Sequence, residues 1–366
     1  MKPYIKVLCC AAPFIALPLE AKAQSSVELY GIIDSSIQWA QSGGQSTTRV
    51  DASEVQTSSW GLRGEEDLGG GTKAIFRLES GFNTNTGASA QTGKMFGREA
   101  WVGLEGKYGS LTVGLHNTPL AYGLIRFSMG DLGHWDWGHA SNNYDFFTST
   151  RVSNSVAYTS PTISGVTLSA LYARGANGDS TLPSTLGDTA SLGVNYSNGP
   201  LAVEADYESM VYGKTSPITP GSQTGTGNFE FLGVSYDFNF VKLGALAMLH
   251  RGSGDVKVVN STIYADPNNL YYDVSALFPH MFTRNGSLMV SFGQYKLQGN
   301  SDGNSSSIGA RYDYHLSLRT GVYTGVAYIK NGSLASFTQT GAAYSGIPVA
   351  TGKNQIAVLA GMMHRF

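Results

Sequence analysis

From about residue 27 to the C-terminus, apolar and polar residues alternate at period two. Val166, Leu168, Ala170 and Tyr172 interleave with Thr167 and Ser169, and Leu201, Val203, Ala205 and Tyr207 with Ala202, Glu204, Asp206 and Glu208. Ile308, Ala310, Tyr312 and Tyr314 interleave with Gly309, Arg311, Asp313 and His315. Successive side chains of a β-strand point to opposite faces, so each stretch reads as a strand with one apolar and one polar face. No long segment of helical period competes, and the fold class is all-β. No run of about 18 to 20 apolar residues exists either, which excludes a bundle of membrane-spanning helices. An aromatic content of 11% argues against disorder, and a formal charge of −2 gives no electrostatic support for nucleic-acid binding.

A soluble sandwich and a membrane barrel both alternate, and three features separate them. The polar partners are small or charged, as a wet lumen allows, and the apolar faces often end in Tyr, Trp or Phe, as interfacial girdles require. The connections also alternate in length. Strands are expected near 27–40, 56–66, 72–83, 95–105, 110–117, 151–159, 165–174, 188–197, 200–211, 228–238, 240–251, 269–279, 286–298, 304–315, 319–331 and 353–366. The links Asp67 to Gly71, Gly106 to Gly109, Ser197 to Gly199 and Phe238 to Phe240 are tight. Those at Gln41 to Val55, Val211 to Gly227, Gly252 to Asn268 and Gly332 to Gly352 are long. Tight turns on one rim and long loops on the other are the pattern of an antiparallel transmembrane β-barrel of sixteen strands. Closure has a physical cause: in hydrocarbon every backbone N–H and C=O needs a partner, and an open sheet edge leaves a row without one. Sixteen strands enclose an aqueous lumen rather than a side-chain-filled core.

The first two dozen residues read as an export signal. Lys2 and Lys6 precede an apolar stretch from Val7 to Leu19, and Ala21-Lys22-Ala23 has the small-x-small cleavage pattern. The expected division is a cleaved signal over 1–23 and a barrel domain over 24–366. Cleavage would remove Lys2, Lys6, Lys22 and Glu20, taking the formal charge from −2 to −4, together with both cysteines. The mature barrel would then hold without disulfides and without thiolate metal ligands.

Several motifs resemble the general porins of Gram-negative bacteria, with the betaproteobacterial (Burkholderia- and Bordetella-like) branch nearest. They are Ser26-Val-Glu-Leu-Tyr-Gly-Ile-Ile-Asp34, Trp60-Gly-Leu-Arg-Gly-Glu-Glu-Asp-Leu-Gly-Gly-Gly71, Phe76-Arg-Leu-Glu-Ser-Gly-Phe82, Arg98-Glu-Ala-Trp-Val-Gly-Leu104, Asn154-Ser-Val-Ala-Tyr-Thr-Ser-Pro161 and the ending Gly361-Met-Met-His-Arg-Phe366. The resemblance runs through essentially the whole mature chain in order. It implies a homotrimer of sixteen-stranded barrels in the cell outer membrane that passively conducts small hydrophilic solutes and ions. It also implies that the third long loop folds inward as a constriction. Phe366 resembles the aromatic signal read by the outer-membrane assembly machinery, and as a girdle residue it would also close the barrel rim.

The longest connection, about Asn117 to Thr150, carries Leu124, Phe127, Met129, Trp135, Trp137, Phe146 and Phe147. That is too apolar for a solvated loop, so it should pack on a wall. Its acids are Asp131, Asp136 and Asp145, of which at least one is expected at the narrowest point. Strand parity points Gly61 and Arg63, and also Lys73, Arg77 and Glu79, inward. By the resemblance, Arg77 and Arg151 occupy positions that line the eyelet in related porins. Facing charges between low-dielectric walls would focus a transverse field that orients dipolar solutes; alternatively the arginines only pair with Glu79 or the loop acids. Ser59 and Leu115 stand where many relatives carry an eyelet arginine. Together with the inward acids Glu204, Asp206 and Glu208, this favours weak selectivity over a strong anion preference. Trp135 and Trp137 either stack sugar rings, as a substrate-specific channel would, or anchor the loop.

Other signals are weak. Gly69-Gly-Gly-Thr-Lys73 lacks the spacing of a phosphate loop, and His134 and His139 lie on a loop with nothing to fix metal geometry. No cofactor, metal or catalytic residue is expected. An outer-membrane lipid hydrolase would need a Ser–His pair on an outward face, and none is identifiable. A soluble binding module would have polar outer faces. A plugged transporter would need about 22 strands. The expected partners are two further copies of the chain, outer-membrane lipid and lipopolysaccharide, the assembly machinery and small hydrophilic solutes.

Overall fold

The computed structural model describes residues 26–133, 137–144, 151–175, 185–214, 223–253, 268–342 and 346–366. The strands are β1 (Ser26–Ser42), β2 (Gln45–Ala52), β3 (Ser59–Gly69), β4 (Thr72–Gly81), β5 (Glu99–Gly106), β6 (Gly109–Asn117), β7 (Arg151–Thr159), β8 (Val166–Ala173) and β9 (Thr189–Asn198). They continue with β10 (Leu201–Lys214), β11 (Gln223–Asp237), β12 (Lys242–Ser253), β13 (Asn269–Pro279), β14 (Gly286–Leu297), β15 (Ser305–His315), β16 (Thr320–Asn331) and β17 (Gln355–Arg365). Among the described residues one α-helix, α1 (Pro119–Phe127), lies between β6 and β7.

Apart from β2 and β3, each strand pairs antiparallel with its sequence neighbours, and β17 returns to β1 in register from Ile32 opposite Arg365 to Ser42 opposite Gln355. The sheet is closed. β2 and β3 both lie along β1, β2 against Ser35–Ser42 and β3 against Ser26–Ile32, running in the same direction. They form one barrel strand interrupted at residues 53–58, and the barrel therefore has sixteen strands.

The interruption folds around one carboxylate. The backbone N–H groups of Val55 and Gln56 donate to Asp34 Oδ2 at 2.8 and 2.9 Å, and the Tyr323 hydroxyl donates to Oδ1 at 2.5 Å. These three donors satisfy an aspartate with no exposed surface, which would otherwise be costly to bury. Ser53 takes a positive φ of 64° to start the bend.

The long connection expected at Gln41 to Val55 is absent. β1 instead turns at Gly43 and Gly44, whose φ values of +58° and +84° suit a tight hairpin, and continues into β2. Gln45–Ala52 carries no apolar face, so its alternation is silent. The expected link Val211 to Gly227 is likewise shortened, since β10 runs to Lys214 and β11 starts at Gln223. The opposite rim is shorter, with tight turns at 70–71, 107–108, 199–200, 238–241 and 316–319 and longer links at 160–165 and 280–285.

The two faces of the wall differ as a membrane barrel requires. Leu29, Ile33, Ile37, Val102, Leu104, Leu168, Leu192, Leu232, Val274 and Ile308 stand exposed on the outer face. The opposite parity, facing the interior, carries Asp34, Ser36, Gln38, Glu79, Glu99, Glu204, Asp206, Asp273, Ser291, Arg311 and Asp313, all buried. An exposed apolar band around a polar interior is stable only with lipid outside.

Candidate functional site

Residues 118–133 and 137–144 lie against the polar interior parity. Thr118 opens α1 by accepting a hydrogen bond from Ala121 N at 3.2 Å, and Pro119 occupies the first turn, where its missing N–H costs nothing. Leu120, Leu124 and Phe127 form the buried stripe and pack on Phe229, Phe231, Leu246 and Met248 of β11 and β12. Arg126 at the helix end pairs with Glu204 of β10.

The wall beneath is stripped of side chains where the segment touches it. A Cβ on Gly233 would meet Phe127 at 2.6 Å, one on Gly293 would meet Ala140 at 2.8 Å, and one on Gly325 would meet Trp137 at 2.7 Å. On Gly309 it would come within 2.1 Å of the Gly138 carbonyl oxygen. These glycines let backbone and aromatic rings approach the sheet closely.

Beyond the helix the segment is held by polar bonds. Leu132 N donates to Asp313 Oδ2 at 3.2 Å, Ala140 N to Ser291 Oγ at 2.8 Å and Ser141 N to Asp273 Oδ2 at 3.2 Å. Trp137 N donates to the Glu54 carbonyl at 3.1 Å, while Arg311 Nη1 donates to the Trp137 carbonyl at 3.1 Å. Arg311 is wholly buried, with Nε and Nη2 on the two oxygens of Asp313. Asn143 Nδ2 reaches Ser307 and Gln339, and Thr340 N returns a bond to Asn143 Oδ1. The β16–β17 connection thereby locks the far end of the segment. His139 shares this buried cluster, its Nδ1 2.7 Å from Ser141 Oγ and its Nε2 3.3 Å from Asp273 Oδ1.

The charged groups concentrate on β3–β5 and the start of β7. Register places Arg63, Arg77 and Trp101 in one row across β3, β4 and β5, and Gly61, Glu79 and Glu99 in the next. Arg77 is half-buried, donating to Tyr30 Oη and Glu79 Oε2 at 2.8 Å each and lying 3.3 Å from Glu99. Arg98 also holds Glu79, at 2.5 Å. Glu99 accepts from Asn117 at 2.9 Å and from Tyr122 of α1 at 3.0 Å, tying the wall to the helix. Arg63 is exposed and pairs with Glu28 at 2.8 Å. Arg151 stands among Arg98, Glu79, Glu99 and Tyr122 without a salt bridge among the described residues.

Of the expected acids, Asp131 faces β14 and β15, accepting from Ser287 Oγ at 2.6 Å with His315 Nε2 at 3.0 Å. Asp136 and Asp145 lie outside the described residues, as do Trp135 and His134. Trp137 is buried against Gly325. Ser59 and Leu115 are buried in the wall. The sequence carries no local signal that makes Tyr30, Arg98, Glu99 or Arg126 a site residue. An inward i, i+2 pair of opposite charge marks Arg311–Asp313, whereas the others depend on strand register.

Comparison with known proteins agrees with this architecture. The family model described as Gram-negative porin matches residues 9–334. An outer membrane porin protein of Bordetella pertussis is 32% identical, covering 89% of this chain and 94% of its own. Outer membrane porin protein 32 of Delftia acidovorans is 28% identical, covering 94% and 95%. Among solved structures, the anion-selective porin from Comamonas acidovorans superposes with a TM-score of 0.74 at 24% identity, covering 94% of this chain and all of that one. The trimer form of an outer membrane protein of Vibrio cholerae gives 0.66 at 13% identity, over 93% of this chain and 99% of that one. The latter two likenesses concern the fold. With a closed sixteen-strand wall, an apolar outer band and a family match across most of its length, the chain belongs to the Gram-negative porin family and is an outer-membrane protein.

Proposed function

We propose that the barrel is a water-filled channel for passive diffusion of small hydrophilic solutes and ions, narrowed by residues 118–150 and only weakly selective between cations and anions. The observation that carries the weak selectivity is charge compensation. Arg77 sits between Glu79 and Glu99, Arg98 holds Glu79, Arg63 holds Glu28 and Arg126 holds Glu204. A guanidinium paired at this distance contributes little net potential along the passage, but the pair leaves a local dipole across it. Arg63, Arg77 and Arg151 form the basic side of the constriction. Asp131, which faces β14 and β15, supplies the acidic side, and Asp136 and Asp145 of the same loop sequence are its further acids.

The functional unit is a homotrimer, as for the Vibrio protein solved in trimer form. Phe366 doubles as rim aromatic and as the signal read by the assembly machinery. Residues 1–23 are the export signal that brings the chain to that machinery.

The test is conductance in a planar bilayer across a KCl gradient with refolded mature protein. Steps in threes, conductance proportional to salt and a reversal potential near zero are the expected result. A strongly anion-selective potential would overturn weak selectivity. Saturation of conductance by one sugar or organic anion would replace general diffusion with a substrate-specific channel.

A further inference from the structure

The β6–β7 ladder is irregular near the end of β6. Register shifts between the pairs Gly114–Ser155 and His116–Val152, and Asn154 takes a positive φ of 54°. Such a bulge re-aims the side chains beside it. The neighbours His116 and Asn117 both line one concavity of about 690 Å³, which strict alternation would forbid. It lies between Pro119 and Tyr122 of α1 and the inner face of β5–β8, and reaches Glu105 and Ser110 beside the turn at 107–108. Small-molecule sites typically measure about 300–1,000 Å³, and this one falls inside that range.

Its polar groups are acceptors. His116 is 6% and Asn117 7% exposed. The Ser155 hydroxyl points its one proton at backbone carbonyls, Gly114 O at 2.9 Å and Val152 O at 3.2 Å, so toward His116 Nδ1, 2.7 Å away, it accepts. Nδ1 therefore carries the imidazole proton and Nε2 presents a lone pair. Asn117 Nδ2 donates to Glu99 Oε1 at 2.9 Å, which fixes the amide and leaves Oδ1 as an acceptor. Among the described residues neither His116 Nε2 nor Asn117 Oδ1 has a hydrogen-bond partner. The aromatic donors nearby are spent, since the Trp101 indole N–H and the Tyr122 hydroxyl both bond to Glu99. The Trp101 ring stacks on the imidazole, with centroids 6.0 Å apart and planes at 14°, and keeps it in place. Glu105 adds a carboxylate, and among the described residues no lysine or arginine lines the concavity.

Two buried acceptors and a carboxylate thus share the concavity with the apolar surface of Ile75 and Leu171. That combination fits a ligand with N–H donors, a positive charge and a short hydrocarbon stem. We propose that the concavity is a solute subsite for a small primary alkylammonium, its N–H groups on His116 Nε2 and Asn117 Oδ1 and its stem against Ile75 and Leu171. A buried acceptor without a donor is costly, and a charged donor makes the stronger bond. An anion would meet lone pairs and the Glu105 carboxylate instead. The inference rests on the reading of the barrel as a water-filled channel, since the solute reaches this concavity from the lumen.

The experiment is equilibrium titration of the whole mature barrel, refolded in detergent, with n-butylammonium, read by calorimetry and by ligand-observed NMR. Butyltrimethylammonium, which carries the same charge and stem but no N–H, is the second probe. The wild type is expected to bind the primary ammonium roughly tenfold more tightly than the quaternary one. His116→Phe keeps a ring against Trp101 and removes the acceptor, and should weaken n-butylammonium roughly tenfold. Glu105→Gln, at an exposed position, tests the site without disturbing buried packing and should weaken it roughly twofold to fourfold. Glu230→Gln removes a carboxylate from the outer face and should bind as wild type. Absence of binding by the wild type, equal binding of the two probes, or wild-type affinity in both His116→Phe and Glu105→Gln would overturn the subsite. Because binding is read without current, a barrel that conducts and does not bind overturns the subsite alone. One that binds and does not conduct keeps the subsite and overturns the channel.

Discussion

The ring of Phe366 lies over Gly31, where a Cβ would come within 2.3 Å of the ring's Cζ. Their backbones also exchange two hydrogen bonds, Gly31 N to Phe366 O at 3.1 Å and Phe366 N to Gly31 O at 3.0 Å. The last residue thus closes the barrel seam through a contact that only glycine permits. Gly31→Ala should cost about 1–3 kcal/mol of barrel stability by forcing the ring aside, read as a lower temperature at which the folded band converts to the unfolded band on a gel. In a Phe366→Ala background the same change should be nearly neutral, because the clash has gone. An equal cost in both backgrounds would mean that Gly31 matters for something other than the ring. Phe366→Ala alone should in addition lower the amount of barrel reaching the outer membrane in cells.

A second prediction concerns the glycine floor under Phe127 and residues 137–140. Gly309→Ala places a methyl group against the Gly138 carbonyl oxygen, and neither backbone can give way without breaking wall or loop hydrogen bonds. It should unseat the segment, raising single-channel conductance and current noise. Gly106→Ala is the control, since its nearest neighbour would lie 3.6 Å away. Unchanged conductance in Gly309→Ala would show that the segment does not set the width of the passage.

How far the sequence reveals this depends on whether a contact is local. The strand Ser305–His315 is legible because Ile308, Ala310, Tyr312 and Tyr314 must face lipid while Arg311 and Asp313 face the interior. The strand Gln45–Ala52 is not legible, because it pairs with the upper end of β1 and has no apolar side to betray it. At the site, parity alone picks out Arg77 and Glu79. That Glu99 and Arg98 share them follows from a register between strands, Glu79 opposite Glu99, which no periodicity encodes. The inward glycines are visible one by one, but their partners Phe127, Gly138 and Ala140 lie about a hundred residues or more away.

The charge pairs yield opposite expectations for their two members. Arg77→Gln leaves Glu79 held by Arg98, and Glu99 held by Asn117 and Tyr122, while removing one positive charge. The reversal potential should move toward cation preference. Glu79→Gln removes the shared acid of Arg77 and Arg98 and should move it toward anion preference. Both shifts should be large at 0.01 M salt, where the screening length is about 30 Å, and nearly absent at 1 M, where it is about 3 Å. Shifts of the same sign, or none at low salt, would remove Arg77 and Glu79 from the conducting path.

The last prediction rests on His139, which is wholly buried between Ser141 and Asp273. Burial holds its imidazole below the ordinary value; Asp273 opposes the shift and Arg311 reinforces it. The folded protein therefore keeps His139 neutral where the unfolded chain already binds a proton. Its contribution to stability is complete above the ordinary histidine value of about 6.5 and is lost as pH falls below it. The temperature at which the folded barrel unfolds should consequently drop between pH 7.5 and pH 5. His139→Asn, which does not titrate in this range, should drop less over the same interval, whatever its own stability at pH 7.5. Parallel drops for wild type and variant would place the acid sensitivity elsewhere in the barrel.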